Sequence, residues 1–337
     1  MQDGAPAPCF QTIPPLVGPV PGRQKGSRAM RRATIGPRRS VMWVKKALIA
    51  LGLLSALGGA ARAGACGPQA LGVSRTIAVG GPVHVGLKTY PQTLELKDHE
   101  VVLTFDDGPA ATTARVLDAL EAQCAKATFF LIGRNAAAMP AVVRREIADG
   151  DTVGSHSYSH PGDTLRRLPF AAGLAEIDKG AAAVDKAAGG KESKLFRFPG
   201  FGDSSALLAT LDQKKVPVFG ADVWASDWNA MTPQEELDLL MGRLRRSGGG
   251  IILLHDTKKQ TADMIPALLA ALKAEGFQLV HVVPGDAPPA LKQAPAGWTS
   301  ETDATLRKMG IEGPRIAGAP RMDVPLQEQR EPNADKK

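Results

Sequence analysis

Residues 101–109 read Val-Val-Leu-Thr-Phe-Asp-Asp-Gly-Pro, an apolar and β-branched run that ends in two adjacent carboxylates. Such a run is typical of a buried strand, and the Gly-Pro pair that follows turns the chain away. The strand therefore carries Asp106 and Asp107 to the edge of a sheet or barrel. Two like charges side by side are unfavourable unless a positive group lies beside them. We therefore expect a cation or a basic side chain at this edge.

Apolar runs alternate with helical patterns on the C-terminal side of this strand. The further strands are predicted at 127–133, 152–153, 195–198, 216–221, 251–254 and 277–283. The helices are predicted at 112–123, 140–148, 170–188, 204–213, 233–246 and 261–275. Alternation of this kind predicts an α/β fold with a parallel sheet.

Polar residues fall at the ends of several of these strands. Besides Asp106 and Asp107, the residues Arg197, Asp222 and His255 each lie at or near the C-terminal end of an apolar run. In parallel α/β folds this edge is where ligands bind. We therefore expect these side chains to form one site.

A histidine pair, His156 and His160, offers ligands for a cation. The two residues are four apart, so a helical turn or a tight loop places both imidazoles on one side. With one carboxylate they form a two-His, one-Asp metal set that leaves positions open for water and substrate. Such a set suits Zn²⁺ without excluding Co²⁺, Fe²⁺ or Mn²⁺. Taken alone, an H-x-x-x-H pair is more often a solvated surface pair.

Five motifs occur in a fixed order along the chain: TFDDGP (104–109), HSYSH (156–160), RFPGFG (197–202), DVWASDW (222–228) and LLHD (253–256). Together they resemble the motifs of the NodB-homology polysaccharide deacetylases, a carbohydrate esterase family that removes N- or O-acetyl groups from glycans. The resemblance covers about residues 94–285. It implies a distorted (β/α) barrel with fewer than eight strands.

The resemblance also implies a role for each matching residue. The implied metal ligands are Asp107, His156 and His160, the implied general base is Asp106 with its partner Arg197, and the implied general acid is His255. A backbone amide in the turn Gly200–Phe201 is implied to bind the oxyanion. Three aromatic residues either stack on sugar rings or pack at the rim: Trp224, Trp228 and Phe201.

Two positions depart from the family pattern. Gly200 stands where the family has an aromatic residue directly after the proline. The sequence therefore does not decide whether the amide of Gly200 or that of Phe201 binds the oxyanion. In the fourth motif Trp224 stands where the family has the acid that tunes the general acid. Of the two acids nearby, we expect Asp222 rather than Asp227 to be the partner of His255, because Asp222 ends an apolar strand.

Positive charge is concentrated in the N-terminal segment. Residues 1–63 hold ten of the 41 Lys and Arg residues and one of the 34 acids, so residues 64–337 carry a formal net charge of −2. The sequence pI of about 9.4 is therefore no indication of nucleic-acid binding by the folded part.

Residues 42–63 have the pattern of an export signal. A basic stretch (42–46) precedes an apolar one (47–57) that is short for a membrane span, and an A-x-A cleavage site follows at 61–63. Arg38 and Arg39 resemble a twin-arginine signal. We expect a periplasmic or secreted protein that contacts the membrane only during export. An uncleaved signal would instead anchor the protein to the membrane.

Four segments are expected along the chain: an N-terminal extension with the export signal (1–63), a leader arm (64–93), a catalytic domain (94–285) and a partly disordered Pro- and charge-rich tail (286–337). Cys66 and Cys124 remain after cleavage and could pair in an oxidising compartment. Sequence alone does not show that these two residues meet.

These patterns together predict a secreted, metal-dependent hydrolase that removes acetyl groups from an N-acetylated polysaccharide or oligosaccharide, with Zn²⁺ as the favoured metal. Two other functions stay open on the same barrel: a catalytically silent glycan-binding module and a hydrolase of small cyclic amides. The sequence does not select among peptidoglycan, chitin oligomers, poly-N-acetylglucosamine and acetylated xylan as the substrate.

Overall fold

The computed structural model of the protein describes residues 67–162, 164–192 and 194–311. The export signal, Cys66 and the end of the predicted tail lie outside these residues. Cys124 is disulfide-bonded. None of the helices within the described ranges is both long and apolar enough to cross a membrane.

The strands of the described ranges are β1 Arg75–Val79, β2 His84–Val85, β3 Gln92–Leu94, β4 Glu100–Asp106, β5 Thr128–Leu131, β6 Thr152–Ser155, β7 Val218–Phe219, β8 Val223–Trp224, β9 Gly249–His255, β10 Gln278–Pro284 and β11 Leu291–Gln293. The helices are α1 Thr113–Ala122, α2 Gly133–Ala138, α3 Pro140–Asp149, α4 Phe170–Ala188, α5 Ser205–Gln213, α6 Pro233–Ser247, α7 Lys259–Ala274 and α8 Glu301–Lys308. Short 3₁₀ helices lie at Leu165–Arg167 and Pro199–Phe201.

β4, the strand that carries the two acids, lies in the middle of a parallel sheet. It pairs with β9 over its whole length, and this register places Asp106 opposite His255. Its other edge pairs with β10 near its start and with β5 near its end. β8 continues the sheet beyond β9, and β6 continues it beyond β5. Since these strands are parallel, their C-terminal ends meet at one edge.

The sheet continues from β6 towards β7 through a single residue, Phe196, which bridges to Ser155 and Val218. β7 pairs on its other side with β2. Over the ranges that the structure describes, no ladder joins β7 to β8, so the barrel stays open there. This arrangement agrees with the expected distorted barrel of fewer than eight strands.

Alternate residues of β4 face two different cores. Val101, Leu103 and Phe105 belong to the core beneath helices α1 and α7, whereas Val102 belongs to the core on the opposite face of the sheet. Successive strand residues point to opposite faces, so Asp106 shares the face of Val102. The strand therefore directs its last carboxylate into the barrel.

Both ends of the described chain contribute to this fold. In the leader segment, β1 pairs with β10, β2 with β7 and β3 with β11. The first part of the predicted tail contains two elements, β11 and α8. Leu306 of α8 and Ile311 beyond the helix are buried, and Leu291 of β11 packs against the core inside the barrel.

Candidate active site

A cleft of about 380 Å³ collects most of the predicted site residues at the C-terminal edge of the sheet. Those that line it are Asp106, Asp107, His156, His160, Gly200, Phe201, Trp224, Trp228 and His255. Arg197 is fully buried and contacts the cleft residue Asp106. Asp222, which was also predicted to belong to the site, does not line the cleft and instead accepts hydrogen bonds from Leu87, Thr93 and Ile251.

Three of these side chains, Asp107, His156 and His160, form the predicted metal set. Their ligand atoms lie within 4.8 Å of one another. Asp107 Oδ1 is 3.6 Å from His156 Nε2 and 3.7 Å from His160 Nε2. The same Asp107 oxygen is buried, and it has no hydrogen-bond partner in the part of the chain that the structure describes.

The other ring nitrogen of each histidine is held by a carbonyl. His156 Nδ1 lies 2.8 Å from the Arg197 carbonyl, and His160 Nδ1 lies 3.2 Å from that of Gly162. Carbonyls only accept, so Nδ1 carries the proton and the Nε2 lone pair is directed at Asp107. Burial, together with the charge of His160, lowers the pKa of His156 to about 3.

This donor set fits a divalent cation. Two imidazole lone pairs converge on an orphaned carboxylate oxygen, and separations near 3.6 Å suit an ion about 2.0–2.2 Å from each atom. Backbone carbonyls fix the tautomers of both rings, as is usual for metal-bound histidines. Three protein ligands leave coordination positions open, which is typical of a catalytic rather than a structural site.

The loop that carries both histidines is held by α4. Its residues Ser157 and His160 have left-handed backbones, with φ of 63° and 51°. Glu176 of α4 accepts a hydrogen bond from the Ser159 amide at 2.8 Å. A Cβ at Gly180 would lie 2.4 Å from the Ser157 carbonyl carbon. Only glycine therefore lets α4 approach closely enough to support this loop.

Arg197 is the predicted positive partner of Asp106. Its Nη1 donates to Asp106 Oδ1 at 2.7 Å and to Thr104 Oγ1 at 2.8 Å. The remaining donors reach the carbonyls of Gly220 and Phe219 at 2.7 and 3.3 Å. Burial raises the pKa of Asp106, while the charge of Arg197 opposes the rise. Asp106 is thus a desolvated carboxylate with one engaged oxygen, which suits a general base.

His255 has Asp227 rather than Asp222 as its partner, which corrects the sequence-based assignment. Asp227 Oδ1 lies 2.7 Å from His255 Nδ1, and Oδ2 accepts the His255 amide at 2.7 Å. Burial alone would lower the pKa of His255, but the charge and hydrogen bond of Asp227, with Asp107 and Asp106 nearby, raise it to about 9. His255 Nε2 lies 3.9 Å from Asp107 Oδ2 and faces the cleft.

Asp222 instead holds the backbone together at the opening of the barrel. Its carboxylate accepts hydrogen bonds from the amides of Leu87 and Ile251 and from the Thr93 hydroxyl. The register of β8 against β9 places it beside Ile251, four residues before His255. At about 3.3 Å per residue, that leaves roughly 13 Å between the two positions.

Of the two backbone amides that could bind the oxyanion, the structure favours that of Gly200 over that of Phe201. The Phe201 amide already donates to the Phe198 carbonyl at 2.9 Å within the 3₁₀ turn. Gly200 has a φ of 57°, and it lines the cleft. Glycine adopts a left-handed backbone without steric cost, which explains why glycine is suited to position 200.

The three predicted aromatic residues form one continuous surface that reaches His255. Phe201 stacks on Trp224 with ring centroids 6.2 Å apart, and Trp224 meets Trp228 edge-on at 5.9 Å. Trp228 in turn lies 6.3 Å from the His255 ring. Phe201 is packed, whereas Trp228 is 48% exposed. Of the three, Trp228 is therefore the one best placed to contact a ligand.

Sequence reasoning missed a chain of groups behind His255. The Thr261 hydroxyl lies 3.0 Å from Asp227 Oδ2 and 2.9 Å from Glu236 Oε1. The Thr261 hydroxyl has one proton to donate. When that proton goes to Asp227, the contact with Glu236 is a hydrogen bond only if Glu236 is protonated and donates to the hydroxyl oxygen. Burial, with the charge of Asp227, raises the pKa of Glu236 to about 7. Glu236 lies on α6 and Thr261 on α7, and no sequence motif indicates that the two residues are in contact.

Sequence reasoning also missed four cleft residues at the C-terminal end of the described chain. They are Thr302, Thr305, Leu306 and Met309. The helical spacing of Thr302, Leu306 and Met309 was the available signal.

Comparison with known proteins places this site in a family. Residues 93–219 match the family model described as polysaccharide deacetylase. A peptidoglycan-N-acetylglucosamine deacetylase from Bacillus cereus is 35% identical over 204 residues, which span 57% of this chain and 72% of the relative. This chain belongs to the polysaccharide deacetylase family. A peptidoglycan-N-acetylmuramic acid deacetylase from Bacillus subtilis is 33% identical over 192 residues, which span 57% of this chain but 39% of that relative.

A solved structure supports the same assignment at the level of the fold. The peptidoglycan deacetylase of Bdellovibrio bacteriovorus aligns with a TM-score of 0.54 and 30% identity, over 63% of this chain and 61% of that one. Part of each chain thus lies outside the shared domain.

We predict that Asp227→Asn will bring the pKa of His255 down towards the ordinary histidine value of about 6.5, because the neutral amide no longer stabilises the imidazolium. Titration of the His255 ring by NMR, in chelator-treated protein, measures this pKa. Asp222→Asn is the matched control and should leave it near the wild-type value. A shift in the Asp222 variant alone would reinstate the assignment made from sequence.

For Asp222→Asn we expect a loss of stability. Each carboxylate oxygen of Asp222 accepts a backbone amide, so the asparagine nitrogen would face the Leu87 or the Ile251 amide. At least one backbone donor then loses its acceptor, at about 1–3 kcal/mol. Chemical denaturation measures the free energy of unfolding, with the exposed Asp98→Asn as the control. Equal stability of the two variants would contradict a structural role for Asp222.

Proposed function

We propose that this chain is an exported, metal-dependent hydrolase that removes acetyl groups from an N-acetylated glycan. One observation carries the proposal: a cation-binding set, a carboxylate base and an imidazolium acid share a single cleft. A binding module would need none of these three groups together, and the named relatives are peptidoglycan deacetylases.

The residues that would hold the cation are Asp107, His156 and His160. When bound there, a divalent cation, with Zn²⁺ favoured by the N/O donors, would lower the pKa of a water molecule and polarise the acetyl carbonyl. One of these ligands lies beside Asp106, with His156 Nε2 3.8 Å from Asp106 Oδ2.

Asp106 acts as the general base through Oδ2. Its Oδ1 is occupied by Arg197, so Oδ2 is the oxygen that takes the proton from the attacking water. The raised pKa of Asp106, which burial causes, makes this carboxylate a better proton acceptor than an exposed one. Arg197 keeps the carboxylate in place during the transfer.

His255 acts as the general acid through Nε2. Because Nδ1 is bound to Asp227, the proton that leaves is the one on Nε2, which faces the cleft. It protonates the nitrogen of the sugar as the carbon–nitrogen bond breaks, and acetate and a free amine result. The Gly200 amide donates to the oxyanion that develops on the acetyl oxygen.

The central test is acetate release. Metal-loaded protein should release acetate from N-acetylated glycans, whereas Asp106→Asn should keep the metal and lose activity by a factor of at least about 10². His156→Ala should lose the metal itself, because one ligand and its fixed lone pair are gone. Acetate assays over peptidoglycan, chitin oligomers, poly-N-acetylglucosamine and acetylated xylan, with metal content measured in each sample, check both expectations.

The exposed His99→Ala is the matched control and should behave like the wild type in both measurements. Near-native activity of Asp106→Asn would show that the base is another group. Binding of a glycan without acetate release would favour the silent module, and turnover confined to small cyclic amides would favour the third function.

Export is part of this proposal and rests on residues 38–63. We expect the protein to be recovered from the periplasm or medium, with a mass that corresponds to a start near Gly64. Intact-mass measurement of the fractionated protein checks this. Recovery of the uncleaved chain in the membrane fraction would indicate an anchor instead.

A further inference from the structure

Helix α8 forms one wall of the active-site cleft. Three of its residues, Thr302, Thr305 and Leu306, line the cleft together with Met309, which follows the helix. This helix lies outside residues 93–219, the part of the chain that matches the family model. His255 also lies beyond that match, but α8 begins at Glu301 and so lies beyond residue 285 as well, where the resemblance to the family motifs ends.

The leader segment holds α8 in place on one side. The Thr302 amide donates to the Lys88 carbonyl at 2.9 Å, and the hydroxyls of Thr302 and Thr89 are 2.9 Å apart in a buried contact. Lys88 Nζ pairs with Glu301 at 2.5 Å, and it also lies 5.3 Å from the Trp224 ring centroid. The same lysine thus contacts both α8 and the aromatic surface.

The 3₁₀ turn Leu165–Arg167 holds α8 on the other side. Arg166 Nη1 binds Asp303 at 2.8 Å with both side chains largely buried, and Arg167 Nη2 donates to the Met309 carbonyl at 3.2 Å. Ser300 caps the helix by accepting the Asp303 amide at 3.0 Å. Contacts on two sides and a capped start make α8 a fixed wall.

The cleft exposes two large apolar side chains to solvent. Within the described ranges, the large hydrophobic residues that stand exposed are Phe170, Trp228 and Met309. Trp228 and Met309 both line the cleft, at 48% and 47% exposure, whereas Phe170 does not. Apolar groups exposed in a cleft with a polar floor are typical of a ligand contact. The carbon–hydrogen faces of sugar rings suit such contacts.

We propose that α8 is a substrate-recognition wall, on which Met309 and Thr305 bind the sugar adjacent to the one that is deacetylated. The reacting acetamido group must meet Asp106 and His255 at the strand ends. Among the described residues, no hydrogen bond, ion pair or ring contact joins α8 to Asp106 or His255, so the wall is assigned to a neighbouring sugar. Met309 and Thr305 therefore contribute to the binding of an oligosaccharide and not to that of the monosaccharide. This inference rests on the proposed function.

The test compares chain lengths. Met309→Ala should raise KM for acetylated oligosaccharides about tenfold, which corresponds to the loss of part of one apolar contact. Its kcat/KM for N-acetylglucosamine itself should stay at the wild-type value. Acetate release from N-acetylglucosamine and from chitin oligomers between the disaccharide and the pentasaccharide gives these parameters. Phe170→Ala, equally exposed but outside the cleft, should match the wild type throughout.

Binding separates the two proposals. Calorimetry with the Asp106→Asn protein, alone and combined with Met309→Ala or Phe170→Ala, measures oligosaccharide affinity without turnover. The proposal is supported if Met309→Ala weakens oligosaccharide binding and Phe170→Ala does not. It is overturned if both double variants bind the oligosaccharide as tightly as Asp106→Asn itself. Absence of acetate release by the wild type from every glycan in the acetate-release test would overturn the proposed function, and the binding comparison would still decide whether α8 contacts a sugar.

Discussion

The fold and the site both depend on one buried charge, the guanidinium of Arg197. A buried arginine is tolerated only when it is paired and its donors are used. Here the partners are Asp106 and Thr104 on β4, the carbonyl of Phe219 in β7 and the carbonyl of Gly220 just after it. The ring of Phe130 on β5 lies 4.3 Å away. One side chain therefore joins the central strand to the open side of the barrel and also fixes the base.

The two adjacent acids have different roles because the backbone turns between them. Asp106 follows the strand alternation into the barrel, whereas Asp107 has a left-handed φ of 75° and faces the histidines. The pairing of β4 with β9 then places His255 opposite Asp106. The base, the metal ligand and the acid are thus positioned by one strand end and its register.

Much of this site was predictable because the end of a buried strand is a local sequence pattern. That pattern located Asp106, Arg197 and His255. It failed for Asp222, because the register of β8 against β9 decides which acid is level with His255, and register cannot be read from one strand. It also failed for α8, a short amphipathic helix whose few buried residues are surrounded by Pro and charge. The helical spacing of Thr302, Leu306 and Met309 is visible in the sequence, but the tertiary contacts that hold the helix in place are not.

The two ends of the described chain meet each other, and this has a consequence for how the protein folds. β3 pairs with β11, and the Trp298 indole donates to the Leu87 carbonyl across 211 residues. β4 likewise pairs with β9, which is made much later. Contacts so distant in sequence slow folding, and the edge of β4 that pairs with β9 stays unpaired until most of the chain exists. Folding is therefore a late and cooperative event, during which the unfinished chain is at its most prone to aggregate.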